Sequence, residues 1–247
     1  MTTAFPDLKK VKSADVRGMV FDPVDPIARD QAASILSDLR GEDPMEGLLA
    51  NSVRLGDIKT KEDKIKYSRE ELKEAFDKME VKDQAMMRRT ADRIRDFAAA
   101  QRAALTDTTV GIPGGAAGHF VEPVQCAGCY APGGRYPLPS SVLMTALTAR
   151  AAGVPTVWVA SPRPAQATLA AAYLADADGL LAVGGAQAIG AMAYGVGVPA
   201  ADVIVGPGNK WVTAAKSIVS GICAIDMLAG PSEVLVIADD RGEIHIV

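Results

Sequence analysis

The sequence predicts an α/β fold with a mostly parallel sheet, flanking helices and a helical N-terminal region. From about residue 122 onwards, short apolar strands alternate with glycine-rich turns and helical segments, which is typical of a parallel sheet covered on both faces. The charged residues are concentrated before this region: of the 26 basic and 30 acidic side chains, 41 lie within positions 1–110. The first part therefore predicts solvated helices, and the second a largely buried sheet with its helices.

Three helices are predicted in the N-terminal region. Asp25 and Pro26 are typical of a helix start, with Asp25 as the N-cap, and Gly41 is expected to end that helix. Ser68 and Glu71 have the spacing of a capping box. A third helix is predicted over about 83–104, with an apolar stripe made of Met87, Ala91, Ile94, Phe97 and Ala98.

Strands and helices alternate through the rest of the chain. We expect strands over 124–130, 156–160, 179–183, 202–205, 223–227 and 233–238. The helices predicted between them cover about 139–152, 164–175, 186–194 and 209–219. The strands are too apolar to face water, so the sheet is expected to be buried on both faces.

Glycine turns follow at least three of these strands, at positions 133–134, 184–185 and 206–208. In an open parallel sheet, ligands bind beyond the carboxyl ends of the strands, where helix N-termini offer unpaired N–H groups to an anion or a polar cofactor. Tight strand-to-helix turns also use glycine for purely structural reasons. The three turns together favour a binding site for a polar ligand, although no G-x-G-x-x-G dinucleotide motif is present.

The composition excludes several classes of function. A formal net charge of −4 gives no basic footprint for nucleic acid or anionic membranes, and the arginines of the third helix are interleaved with aspartates. Three cysteines and an N-terminus without signal-peptide character predict a cytoplasmic protein without a disulfide framework. The uncharged stretch 179–201 is interrupted by six glycines and a proline, so we expect no membrane span.

Two further patterns carry alternatives. Cys126 and Cys129 form a C-x-x-C, which can be a redox dithiol or half of a zinc site, but their place on a predicted strand favours a structural role. Asp226 and Glu233 lie near strand ends and could either orient a substrate or brace the G-P-S-E turn at 230–233.

Four long motifs resemble the zinc-dependent histidinol dehydrogenases. They are GCYAPGG at 128–134, VGGAQAIGAMAYG at 183–195, VGPGNKWVTAAK at 205–216 and AIDMLAGPSEVLVIAD at 224–239. The resemblance covers about 83–240 with order and spacing preserved. It implies an enzyme of histidine biosynthesis that oxidises L-histidinol through the aldehyde to L-histidine, using two NAD molecules in succession and a bound zinc, and that forms a homodimer.

The resemblance also implies the roles of four residues. Tyr130, Gln187 and Asn209 match the residues that contact NAD, and Ser232 matches a serine that contacts the substrate. From the sequence alone each NAD residue has a structural alternative. Tyr130 could pack in the core, Gln187 could cap its helix, and Asn209 could be an ordinary N-cap.

With the resemblance, the chain is expected to have three parts. Residues 1–110 form a charged helical region that contributes to a first, incomplete α/β domain. Residues 111–232 form an NAD-binding, Rossmann-like α/β domain, and residues 233–247 begin the return to the first domain. The motif G-G-R-Y-P at 133–137 resembles relatives that oxidise other small polyols or sulfonated alcohols, so the predicted substrate is histidinol or a related small polar alcohol.

The zinc ligands and the Glu-His pair that transfers protons in the family lie beyond the motifs found here. The chain contains two histidines, His119 and His245, and neither matches a family ligand. We therefore expect no catalytic or metal-binding residues of the family in this sequence, a truncated C-terminus and no activity of the chain alone. The alternative is a non-catalytic nucleotide-binding or oligomerisation fragment. A fragment that has lost part of the cover of its sheet could also be unstable.

Overall fold

A six-stranded sheet forms the centre of the computed structural model, which describes residues 24–133 and 136–229. The helices of this part of the chain are α1 Pro26–Asp38, α2 Pro44–Arg54, α3 Arg69–Asp77, α4 Val81–Ala103, α5 Pro139–Ala151, α6 Gln166–Leu174, α7 Gly185–Tyr194 and α8 Lys210–Val219. The strands are β1 Lys66–Ser68, β2 Thr108–Ile112, β3 Gly115–His119, β4 Cys126–Tyr130, β5 Thr156–Ala160, β6 Gly179–Leu181, β7 Val203–Val205 and β8 Ala224–Ile225.

The sheet has the order β1-β6-β5-β4-β7-β8. Strands β4 to β8 are parallel, and only β1 pairs antiparallel with its neighbour. The chain runs from β4 outward through β5 and β6, then returns to the other side of β4 for β7 and β8. This mostly parallel arrangement confirms the predicted α/β class, and it places a topological switch point between β4 and β7.

The two faces of the sheet carry two separate apolar clusters. Cys126 and Tyr130 of β4 contribute to the cluster under α1, α2, α7 and α8, whereas Ala127 and Cys129 contribute to the cluster under α3, α4, α5 and α6. This alternation is the two-residue period of a strand that is covered on both sides. Every residue of β4 is buried, as its apolar sequence predicts.

The alternation also places the side chains of Cys126 and Cys129 on opposite faces of the sheet. Because the two side chains belong to clusters on opposite faces of the sheet, they do not form a dithiol pair. Burial raises the pKa of Cys129 to about 12, which is the opposite of what a reactive thiolate needs. The structural role predicted for these cysteines therefore agrees with their placement.

The predicted helix starts are confirmed, and two predicted details are wrong. The Asp25 side chain accepts from the Ala28 N–H, and Ser68 and Glu71 form the predicted capping box. Helix α1, however, ends at Asp38 rather than at Gly41. Phe97 was expected in the apolar stripe of α4, but it is 66% exposed, because the buried face of the helix follows Met87, Ala91 and Ala98, and Phe97 lies about 100° around the helix from Ala98.

The hairpin of β2 and β3 was not predicted. Its sequence is rich in threonine, glycine and alanine, and it lacks the alternating large apolar residues that indicate a strand. All ten of its residues are exposed. The predicted domain boundaries at 110 and 232 stay predictions, although β1, from the N-terminal region, pairs directly with β6.

Gly206, which follows β7, packs directly against β4. Its φ of +127° is a conformation that other residues rarely adopt, and a Cβ atom there would overlap the Tyr130 carbonyl oxygen. A larger residue would therefore separate β4 from the turn that leads into α8.

We expect Gly206→Ala to lower the free energy of unfolding by about 2–4 kcal/mol, through backbone strain and the steric overlap with β4. Urea denaturation measures this change. Gly221→Ala is the matched control, because no atom lies within 4 Å of a Cβ built at Gly221, and its effect should stay within about 0.5 kcal/mol. Equal stability of the two variants would contradict this account of the turn.

Candidate functional site

A cavity of about 770 Å³ lies at the carboxyl edge of the sheet. Its floor is formed by the segments that follow β4, β5, β6 and β7, and its wall by α1 and the end of α2. This is the position at which open α/β sheets bind ligands. The volume falls within the range of small-molecule and cofactor pockets.

The structure brings three of the four predicted site residues to this cavity. Tyr130 ends β4, Gln187 lies in the first turn of α7, and Asn209 precedes α8, and all three line the cavity. They come from three separate strand ends, so only the folded sheet places them together. Ser232 lies outside the described residues.

Tyr130 connects β4 to the start of α7. Its side chain is buried, and its hydroxyl oxygen accepts a hydrogen bond of 3.2 Å from the Gly185 N–H. Burial raises the pKa of the phenol, so the hydroxyl stays protonated and its own hydrogen remains available to donate.

Asp57 is a site residue that the sequence analysis missed. It follows α2, and its Oδ2 atom accepts hydrogen bonds from the Gly184 N–H at 2.9 Å and from the Gln187 side-chain amide at 2.8 Å. Burial raises the pKa of Asp57, opposed by these two hydrogen bonds and by the nearby charge of Arg163. No motif marks Asp57, because it lies 127 residues before Gly184 and meets it only in the folded chain.

Gln187 is almost completely buried, with 2% of its surface exposed. Its Nε2 atom donates to Asp57, but its Oε1 atom has no hydrogen-bond partner among the described residues. A buried polar atom without a partner costs about 1–3 kcal/mol. The Oε1 atom is therefore an unused acceptor in a residue that lines the cavity.

Asn209 has the structural role that was left open for it. Its Oδ1 atom accepts from the N–H groups of Trp211 and Val212, at 3.1 and 3.2 Å, and so caps α8. Only the carbonyl oxygen of this amide is used in the cap, and the exposed side chain also faces the cavity. Capping and ligand contact are compatible at this residue.

The backbone N–H groups of these turns are already used within the protein. Gly184 donates to Asp57, Gly185 to Tyr130, and Gly206 to the Oδ2 atom of Asp226. The expectation that free turn amides would hold an anion is therefore wrong at these three positions. Side chains, among them the guanidinium groups of Arg54 and Arg163, carry the polar character of the cavity instead.

Asp226 braces the turn after β7, a role that the sequence analysis did not predict; the turn it was expected to brace, G-P-S-E at 230–233, lies outside the described residues. Lys216, only 4% exposed, donates 2.6 Å hydrogen bonds to the Asp226 Oδ1 atom and to the Gly206 carbonyl. Burial raises the pKa of Asp226, but the hydrogen bonds from Lys216, Gly206 and Met227 lower it by more, so the net pKa lies below its ordinary value. Glu233 lies outside the described residues.

The described residues do not fit a zinc site. Within 24–133 and 136–229, no three side chains of His, Cys, Asp and Glu type converge in a way that could hold a metal ion. His119 is exposed on the β2–β3 hairpin, where its Nε2 atom lies 3.2 Å from the Thr106 carbonyl oxygen, and His245 is outside the described residues. No helix in this part of the chain is long and apolar enough to cross a membrane.

The sequence profile of the histidinol dehydrogenases matches residues 25–247, almost the entire chain. The chain belongs to the histidinol dehydrogenase family. This confirms the resemblance that the four motifs carried, and the chain therefore comes from a family of oxidoreductases.

Individual relatives agree with the family assignment. The chain is 46% identical over 183 residues to a histidinol dehydrogenase of Methanococcus maripaludis, covering 72% of this chain and 43% of the relative. It is 42% identical over 193 residues to a sulfopropanediol 3-dehydrogenase of Ruegeria pomeroyi, covering 75% and 44%. A crystal structure of histidinol dehydrogenase from Elizabethkingia anophelis superposes with a TM-score of 0.78 at 30% identity, covering 94% of this chain and 55% of that one. The chain thus spans about half the length of these relatives.

We expect Lys216→Met to lower the free energy of unfolding by about 1–3 kcal/mol at neutral pH, because it removes the cation that pairs with Asp226 and the donor to the Gly206 carbonyl. The ionised form of Asp226 is favoured by folding. Its contribution is therefore complete above the unfolded pKa of about 3.9 and is lost as the pH falls through the lower folded pKa. Urea denaturation across this pH range should show the difference between parent and variant shrinking in acid.

Lys73→Met is the control for this prediction. Lys73 pairs with Asp77 on the exposed surface of α3, so its loss should cost less than about 0.5 kcal/mol. The account of the turn is wrong if Lys216→Met is as mild as Lys73→Met.

Proposed function

We propose that the cavity binds NAD and that this chain is the cofactor-binding part of a dehydrogenase for a small polar alcohol. The observation that carries the proposal is the convergence of Tyr130, Gln187 and Asn209 on one cavity. These residues were selected from the motifs alone, and they lie at the strand ends where the fold predicts a ligand. The switch-point position and the cavity volume support the same proposal.

The chemistry of the cavity fits a dinucleotide. Tyr130 can donate its hydroxyl hydrogen, Gln187 offers a buried acceptor, and Asn209 retains its amide N–H groups for a ligand. Arg54 and Arg163 supply positive charge that complements a pyrophosphate. When bound, NAD supplies the hydride acceptor that alcohol oxidation needs, and the residues named here would orient it.

The substrate proposed from the motifs is L-histidinol or a related small polar alcohol. The two relatives described above carry the names histidinol dehydrogenase and sulfopropanediol 3-dehydrogenase, and their identities of 46% and 42% are similar. In the G-G-R-Y-P motif on which this choice depends, Arg135 lies outside the described part of the chain, and Tyr136 is exposed. Zinc, a homodimer and a cytoplasmic location remain part of the proposal on the strength of the family alone.

We expect the 247-residue chain to bind NAD without oxidising alcohol by itself, because the described residues offer neither the family's metal ligands nor its proton-transfer pair. The measurement is NADH absorbance after mixing the chain with NAD and either L-histidinol or sulfopropanediol. Binding without turnover would equally suit the second candidate, a non-catalytic nucleotide-binding or oligomerisation module. Turnover that a chelator abolishes would contradict the expectation of inactivity.

We expect Asn209→Asp to raise the Kd for NAD at least about tenfold while leaving the stability of α8 intact. Aspartate is as good an N-cap as asparagine, but it removes the amide N–H groups and adds a negative charge that repels the pyrophosphate. Isothermal titration calorimetry with NAD measures the Kd, and urea denaturation measures the stability. Asn209→Ala is less informative, because it removes the cap as well.

Ser68→Ala is the control that shows what a loss of helix capping alone does to NAD binding. It removes the cap of α3, outside the residues that line the cavity, and so should cost about 1 kcal/mol of stability without changing the Kd for NAD. Unchanged NAD binding by Asn209→Asp would remove Asn209 from the proposed site. The absence of NAD binding by the folded parent protein would contradict the proposed function itself.

A further inference from the structure

The Gln187 side chain is held in one orientation by a residue from a distant part of the chain. Its Nε2 atom donates to the Asp57 Oδ2 atom at 2.8 Å, and the same oxygen receives the Gly184 N–H at 2.9 Å. A flipped amide would place the Gln187 oxygen against the carboxylate, so that two acceptors would face each other. Asp57 therefore determines which end of the amide is free.

The Asp57 carboxylate is itself fixed in place. The Asp57 N–H donates to the Ser52 carbonyl oxygen at 2.8 Å, which ties the residue to the end of α2. The preceding residue is also restrained, since the Arg163 guanidinium donates to the Gly56 carbonyl oxygen at 2.7 Å. The Asp57 carboxylate is therefore held in position, and it can orient the Gln187 amide.

The free end of the Gln187 amide packs against Gly185. A Cβ atom at Gly185 would lie 2.9 Å from the Oε1 atom, and Gly185 has a φ of +60° that favours glycine. The glycine therefore lets the amide oxygen lie close to the backbone, where it is buried without a partner among the described residues. Both Gly185 and Gln187 line the cavity.

Two N–H groups at the start of α7 are used within the protein, since those of Gly184 and Gly185 donate to Asp57 and Tyr130. Beside them lie oxygen acceptors, namely the Gln187 Oε1 atom and the second carboxylate oxygen of Asp57, which accepts no hydrogen bond from the described residues. These oxygens suit a hydrogen-bond donor better than a phosphate.

We propose that Asp57 is a positioning residue that holds the Gln187 amide with its Oε1 atom toward the cavity, so that this end of the site recognises a hydroxyl or amino donor of NAD and not its phosphates. The inference rests on the proposed function and makes it more specific. Gln187 contacts the cofactor, and Asp57 acts through Gln187.

Two substitutions at Asp57 and one at Gln187 test the proposal. Asp57→Ala removes the oxygen that holds the Gln187 amide. In Asp57→Asn, the side-chain oxygen can take the place of the Oδ2 atom and accept from both the Gly184 N–H and the Gln187 amide, so the orientation of the amide is kept. In Gln187→Glu, two carboxylates face each other.

We expect Asp57→Ala and Gln187→Glu to raise the Kd for NAD about tenfold or more, and Asp57→Asn to leave it within about threefold of the parent value. Calorimetry with NAD gives the four Kd values, and thermal unfolding of the same samples shows that each variant is folded at the titration temperature. A pair that only stabilises the fold would change the unfolding temperature and leave the Kd of the folded protein unchanged.

The outcomes separate the two proposals. If Asp57→Ala binds NAD as tightly as the parent, or if Asp57→Asn binds it as weakly as Asp57→Ala, the role of Asp57 is overturned and NAD binding is left in place. If the folded parent does not bind NAD, the proposed function and this inference both fail.

Discussion

The arrangement of the cavity depends on the carboxylate of Asp57, which joins the N-terminal helical region to the first turn of α7. Through one oxygen atom it receives the Gly184 N–H and the Gln187 amide. This junction ties the loop after α2 to the turn after β6 at the wall of the cavity. The free-energy cost of burying this carboxylate is offset by its two hydrogen-bond donors and by the nearby charge of Arg163.

The turns at the strand ends serve mainly to pack the structure closely. Their glycines allow close packing: Gly184 lies against the Pro162 ring, and Gly206 against the carbonyl of Tyr130. Their N–H groups are satisfied by Asp57, Tyr130 and Asp226. Ligand recognition consequently falls to side chains that these turns hold in place. A buried lysine, Lys216, keeps the last of the turns attached to β8 through Asp226.

Much of this molecule could be predicted from local sequence patterns, since those patterns reflect local physics. Strand β5 has the predicted bounds, and the capping box at Ser68 is present, because apolar runs and capping side chains act within a few residues. Tyr130, Gln187 and Asn209 were found because the family motifs record them. Asp57 was missed because its partners are more than a hundred residues away, and the exposure of Phe97 depends on neighbours that helical periodicity does not describe.

The most direct test of the account is hydrogen–deuterium exchange of the 247-residue chain with and without saturating NAD. If NAD occupies the cavity at the carboxyl edge of the sheet, exchange should slow in three separate segments, near Tyr130, at 184–187 and at 209–212. The middle of α4, which contributes no residue to the cavity wall, should be unaffected. Protection confined to other parts of the chain, with NAD demonstrably bound, would show that the cofactor binds elsewhere and would contradict the assignment of this cavity.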